Sequence, residues 1–135
     1  MSFSVIDPAE LGAPQGYSNG MLAEPGGRLL FVSGQIAWNA EQQITSEDFA
    51  EQFGQALRNV LAVVREAGGG PEHIGRLTIY VTDKDEYAAS RRRVAPVYRE
   101  TMGDRYPAMA LVQVAGLLEE GAKVEIEATA VLPAT

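Results

Sequence analysis

Few residues in this sequence can do chemistry. There is no cysteine, which removes thiol nucleophiles, disulfides and cysteine-based metal sites. The one histidine, His73, leaves too few nitrogen ligands for an ordinary zinc site. It opens an extended segment, away from the other candidates, and reads as structural. Glu125 is more informative. It falls on an alternating segment, 123–132, where Val124, Ile126, Ala128 and Ala130 point one way and Glu125, Glu127 and Thr129 the other. A carboxylate on a central strand is costly to bury without a partner, so Glu125 reads as a pocket residue. Glu127 shares its face and is expected to pair with a basic residue of a neighbouring subunit. Trp38, the only tryptophan, and Met109 read either as ordinary packing or as two walls of an apolar pocket.

The elements that must position these residues follow from pattern. Residues 17–23 form a plausible strand that ends at Glu24-Pro25-Gly26-Gly27, a strong turn signal. The apolar run 28–33 follows, so the two strands are expected to form a hairpin. Phe49, Phe53, Ala56, Leu57, Val60, Val64 and Ala67 recur at steps of three and four and define one helix face. Thr45 or Ser46 is the expected cap of that helix, and Gly68-Gly69-Gly70 ends it. Residues 74–81 read as a strand. Asp83 caps a second helix, with Glu86 in a capping-box position, and Pro96 should kink or break it. Asn59 is expected to hydrogen-bond to neighbouring backbone. Strands over 108–114 and 123–132 close the chain.

The order β-β-α-β-α-β-β implies an α+β fold over one domain, 1–135, with the helices grouped against one face of a mixed sheet. The acidic side chains of the last strand leave the other face to water or to partner subunits, so oligomerisation is expected. The formal charge of −7 works against nucleic-acid binding. The single basic run, Arg91-Arg92-Arg93, reads as a solvated helix face. No apolar run is long enough for a membrane span and no signal peptide is visible at the start, so a cytoplasmic protein is expected.

Several segments resemble successive signatures of the RidA/YjgF family: Gly16-Tyr17-Ser18, Phe31-Val32-Ser33-Gly34-Gln35, Gln52-Phe53 with Ala56-Leu57-Arg58-Asn59-Val60, Tyr80-Val81-Thr82-Asp83, Tyr106-Pro107-Ala108, and Val124-Glu125-Ile126-Glu127-Ala128. They stand in the family's order from about residue 17 to 131. The resemblance implies a chorismate mutase-like fold, a homotrimer with a central barrel, and small-molecule clefts at the subunit interfaces. It implies no cofactor and no metal. The activity it implies is hydrolysis of reactive imines and enamines. By position, Tyr17 would donate from its hydroxyl, Ser33 and Gly34 would line the cleft, Glu125 would hold the hydrolytic water, and the carbonyl around Leu111 would orient that water.

One position departs from the pattern. The deaminating members carry an arginine after Tyr-Pro-Ala, clamping the substrate carboxylate, whereas this chain has Met109. An arginine grips a carboxylate through two charge-assisted hydrogen bonds; a thioether donates nothing. Arg105 and Lys123 are the nearest replacements, and neither is in register. The resulting expectation is a divergent hydrolase that takes a larger, more apolar imine or enamine, or one charged elsewhere. A trimeric small-molecule-binding or regulatory protein without catalysis is the alternative. Endoribonuclease activity is a weaker one, because the chain is acidic and no histidine lies near the expected site.

Overall fold

Four strands assemble into one mixed sheet, and their alternation decides everything that packs on them. The structure, a computed structural model, describes residues 3–134. Along the chain these are β1 (Phe3–Ile6), β2 (Gly20–Ala23), β3 (Arg28–Gln35), α1 (Phe49–Glu66), β4 (Ile74–Val81), α2 (Lys84–Ala89), α3 (Arg91–Met102), β5 (Ala108–Gln113) and β6 (Val124–Leu132). β6 runs antiparallel to both β3 and β4, while β5 lies parallel to β4. In β6 every even-numbered residue from Val124 to Leu132 is buried and every odd one is half-exposed. The even set faces α1, on which α3 packs in turn.

α1 supplies Phe49, Phe53, Leu57, Val60, Leu61 and Val64 to the core, against Leu77, Ile79, Val81 and Ile126 of the sheet. Burying a side chain of this size stabilises by about 1.5–3 kcal/mol. The helix starts at Asp48, not at Thr45 or Ser46: Asp48 is the last extended residue, and its carboxylate accepts from Glu51 N at 3.0 Å. Ser46 instead braces the cap, accepting from Asp48 N at 3.1 Å. Gln52, fully buried, joins this start to the far side of the fold. Its Nε2 donates to Ser46 O and Gly121 O at 2.8 and 2.9 Å, and its Oε1 accepts from Lys123 N at 2.9 Å.

Three expectations change. The 28–33 run does form a strand, but β2 and β3 do not pair as a hairpin; β2 pairs with the N-terminal β1, which pattern reading had missed, in a separate two-stranded ribbon. Gly26 adopts φ +85° in the turn. A side chain at Gly27 would collide with Val131, so the bare glycine lets the chain cross close to β6 and hand β3 to it. The second helix breaks at Ser90, which ends α2 and begins α3, and α3 continues through Pro96. Pro96 lies in the second turn of α3, where it removes one backbone bond without ending the helix. Asp83 does cap α2, accepting from Asp85 N and Glu86 N, but the Glu86 side chain pairs with Lys123 Nζ at 2.8 Å and not with the cap.

The sheet face opposite the helices is open. Phe31 is 74% exposed and Leu29 59%, and Tyr80, Glu125 and Glu127 stand beside them. Among the described residues no helix is long and apolar enough to cross a membrane.

Candidate functional site

The open face holds the acidic candidates. Between Val32, paired with Ala128, and Gln35, paired with Ile126, the register of β3 slips, so that Ser33 and Gly34 together oppose Glu127. Bulges of this kind bend a strand and re-aim its side chains. The space a Gly34 side chain would fill is occupied by the carboxyl end of Glu125: an added Cβ would lie 2.8 Å from its Cδ and 3.0 Å from its Cγ. Ser33 is exposed at the same bulge, its carbonyl accepting from Gln35 Nε2 at 3.1 Å. Across the sheet Glu125 pairs with Tyr80.

Tyr80 serves the second carboxylate. Its hydroxyl donates to Glu127 Oε1 at 2.5 Å. That bond, with burial second, holds the phenol above its ordinary range and keeps it a donor. Glu127 therefore finds its partner within the chain, where a neighbouring subunit's basic residue had been expected. Among the described residues no side chain is hydrogen-bonded or ion-paired to Glu125.

The remaining candidates lie elsewhere. Ser18 anchors the segment that carries Tyr17: its N donates to Pro107 O at 3.1 Å and its Oγ to Tyr106 O at 2.5 Å. Tyr17, 40% exposed, then borders a groove of about 450 Å³ with Arg76, Ala108, Met109 and Ala110. Met109 is in register with Leu77 and Leu111 with Ile79, so both project toward the helices and pack on the core. β5 is one of the two edge strands, and beyond the single bridge of Ser18 to Ala108 its outer side has no strand neighbour.

Beneath that edge, Met109 also lines a cavity of about 220 Å³ with Phe53, Tyr87, Tyr98, Tyr106 and Arg91. The rings of Tyr98 and Tyr106 stack at 5.3 Å, and the Tyr98 hydroxyl donates to Arg105 O at 2.5 Å. Burial, and then the neighbouring Tyr106, push Tyr98 well above its ordinary range. Trp38 does not share this cavity. It sits in the β3–α1 loop, bridged to Ile44, its carbonyl accepting from Asn59 Nδ2 at 3.0 Å, as expected of Asn59. The aromatic lining comes from three tyrosines and a phenylalanine instead. Lys123 is engaged with Glu86, and Arg105 borders a different groove, with Tyr17 and Asp104. His73 is structural: its Nδ1 accepts from Gly70 N at 2.9 Å.

The candidates thus form two groups, Ser33-Gly34-Glu125 and Tyr17-Met109, with Leu111 two residues beyond Met109 on β5 and in neither groove. One chain does not unite them. Glu125 lies level with Tyr80, whereas Tyr17 lies near Arg76, four residues down β4 or roughly 13 Å at the usual strand rise. Glu125 and Met109 also face opposite sides of the sheet. Pattern reading missed Arg91 at the cavity, although a signal was present. Tyr87, Arg91, Val94 and Tyr98 are spaced by four, three and four, which places the arginine on the apolar stripe.

Comparison with known proteins agrees with the fold. The family model for Endoribonuclease L-PSP matches residues 8–132. A RutC family protein of Synechocystis sp. is 35% identical over 135 residues, spanning 98% of this chain and 99% of its own length. The human 2-iminobutanoate/2-iminopropanoate deaminase is 31% identical over 121 residues, which span 89% of this chain and 82% of that protein. The crystal structure of YyfB, a Rid-family protein of Yersinia pestis, superposes with a TM-score of 0.86 at 32% identity, covering 98% of this chain and 100% of that one. With a family match across nearly its whole length, and relatives and fold in agreement, the chain belongs to the Endoribonuclease L-PSP family, the RidA/YjgF group.

Proposed function

We propose that this protein hydrolyses an imine or enamine of a small molecule in clefts formed between copies of the chain in a homotrimer, with specificity set by Met109 in place of arginine. The observation that carries the reading is the Glu125 carboxylate, seated over side-chain-free Gly34 with no bonded side chain. The activity named for the human relative supports the same class.

The chemistry is a hydration followed by elimination. Glu125 takes a proton from water as the oxygen bonds to the imine carbon, the π pair of the C=N bond moves to nitrogen, and Glu125 passes that proton on to the nitrogen. The resulting carbinolamine loses its hydroxyl proton, the C–N bond breaks, and ammonia leaves with the proton returned through Glu125. Imine and water become carbonyl compound and ammonia. Tyr17 donates a hydrogen bond to the substrate or the water. The Leu111 carbonyl orients the water, and Ser33 and Gly34 form the wall beside it. A positioned acid–base group contributes about 10²–10⁴-fold to such a step. An endoribonuclease reading, which the family's description raises, is disfavoured by His73, whose Nδ1 is committed to backbone away from both groups.

The test is ammonia release from 2-imino acids generated in place, comparing 2-aminoacrylate with the imines of leucine and phenylalanine. Wild type is expected to accelerate the bulkier imines, Met109→Arg to gain activity on 2-aminoacrylate, and Glu125→Gln to lose at least about 100-fold. No acceleration by either wild type or Met109→Arg would overturn the proposal in favour of a binding protein without catalysis.

A further inference from the structure

Among the described residues one charged side chain borders the cavity beneath β5, and no other described side chain pairs with it. Met109, Phe53, Val94 and the rings of Tyr87, Tyr98 and Tyr106 make its wall apolar and aromatic, with Arg91 at the start of α3 on its border. On α3 the neighbours of Arg91 three and four residues away, Val94 and Ala95, are uncharged, as are Tyr87 and Ala88 before the break at Ser90. No intrahelical carboxylate therefore claims the guanidinium. Among the described residues Arg91 makes no hydrogen bond and no ion pair. Arg93, two residues on, is held by both oxygens of Asp48 at 2.6 and 2.7 Å. The run Arg91-Arg92-Arg93 therefore divides: Arg93 serves the fold, and Arg91 borders an apolar cavity.

We propose that Arg91 is the anion anchor of this cavity, and that the ligand is a monocarboxylate with a bulky apolar or aromatic body. A planar guanidinium grips a carboxylate in a bidentate fork, while the ligand's body lies against Met109 and the tyrosine rings. The size fits: about 150 Å³ of apolar cavity accepts a benzene ring, and the cavity holds about 220 Å³. Gly16, the residue before Tyr17, also lines this cavity. A ligand held by Arg91 thus extends toward the residue proposed to act on it. The substrate class named here, a 2-imino acid with a large apolar side chain, rests on the hydrolase reading; the anchor itself does not.

Binding and turnover separate the two claims. 3-Phenylpropanoate and its uncharged counterpart 3-phenylpropanol are titrated calorimetrically into wild type, Arg91→Met and Arg92→Met. Loss of a hydrogen bond to a charged group weakens binding by about 10- to 100-fold. The acid is therefore expected to bind wild type and Arg92→Met at least about 10-fold tighter than the alcohol, and Arg91→Met is expected to lose that preference. In turnover of the phenylalanine imine, Arg91→Met should raise KM with a smaller effect on kcat. Equal affinity of wild type and Arg91→Met for 3-phenylpropanoate, or no binding by wild type, overturns the anchor. Arg91-dependent binding with no turnover sustains the anchor and removes only the hydrolase reading.

Discussion

Gly34→Ala separates the proposed chemistry from the fold. The added methyl would collide with the carboxyl end of Glu125, at 2.8 Å from Cδ and 3.0 Å from Cγ, and closer still to Oε2. All three atoms belong to the far end of a flexible side chain. The clash is therefore relieved by turning Glu125 away, with no movement of backbone. Forcing that side chain off its preferred rotamer costs about 0.5–1.5 kcal/mol. Replacing glycine by alanine returns about 0.4–1 kcal/mol by restricting the unfolded chain, so the net change in Tm should stay within roughly 5 °C. Turnover should fall much further, by at least about 100-fold, because the group proposed to handle the water has left its place.

The assay is kcat/KM for imine hydrolysis beside thermal unfolding at fixed protein concentration. A double-mutant cycle sharpens it. In a Glu125→Ala background the methyl has room, so Gly34→Ala should cost no stability there and change no residual activity. Gly34→Ala with kcat/KM within about threefold of wild type would refute the role given to Glu125, since the effect asked of that group is about 10²-fold or more.

Three further outcomes follow from the same structure. Gln52→Leu strands Ser46 O, Gly121 O and Lys123 N; it should destabilise by about 2–4 kcal/mol in denaturant unfolding, and a loss under about 0.5 kcal/mol would mean water takes over those bonds. Phe31→Glu places charge on a face that is open in the isolated chain, so light scattering should report dissociation to smaller, still folded species; an unchanged mass would count against burial of this face in the assembly. The Arg93 hydrogen bonds hold Asp48 below the usual carboxylate range, so its contribution is present above the unfolded pKa near 3.9 and is lost as pH falls through the lowered folded value. Asp48→Asn keeps a capping side chain but not the charge; its Tm deficit should be seen at neutral pH and vanish in acid, and a deficit constant with pH would refute the pairing.

What sequence alone could show depended on how local the cause was. Residues 74–81 and the α1 face were readable because period and burial coincide there: Leu77, Ile79 and Val81 are inside, and the helix steps of three and four meet them. The Pro25-Gly26 turn was readable too, but not the partner it serves. A turn signal says that the chain reverses, whereas the choice of β6 over β2 for β3 is made by the long alternating face of β6. Ser90 defeated pattern reading because Pro96, the louder signal, is tolerated early in α3. Arg91 was hidden by its neighbours, since a run of three arginines looks like one solvated face until Asp48 takes Arg93.

The parity of the strands carries the site argument furthest. β6 alternates so plainly that the outward face of Glu125 was legible, but β5, reading Ala-Met-Ala-Leu-Val-Gln, has no polar rhythm to reveal which way Met109 points. Register answers that: Met109 pairs with Leu77 and Leu77 with Ala128 on the helix side, while Glu125 pairs with Tyr80 on the other. No loop movement brings residues on opposite faces of one sheet into a single cleft. Tyr17, whose groove takes in Arg76 and Ala110 of the open face, is kept from Glu125 by distance, roughly 13 Å along β4, so a substrate that both act on would meet them on different chains. Mixing two inactive variants tests this. In an equimolar mixture of Tyr17→Phe and Glu125→Gln, unfolded and reassembled together, head-to-tail contacts in a random ring restore about a quarter of the sites. Activity near about a quarter of wild type is therefore expected from the mixture and none from either variant alone. A mixture as inactive as its components, with mixed assembly verified by mass, would place the two residues in the same chain's site and refute the shared cleft.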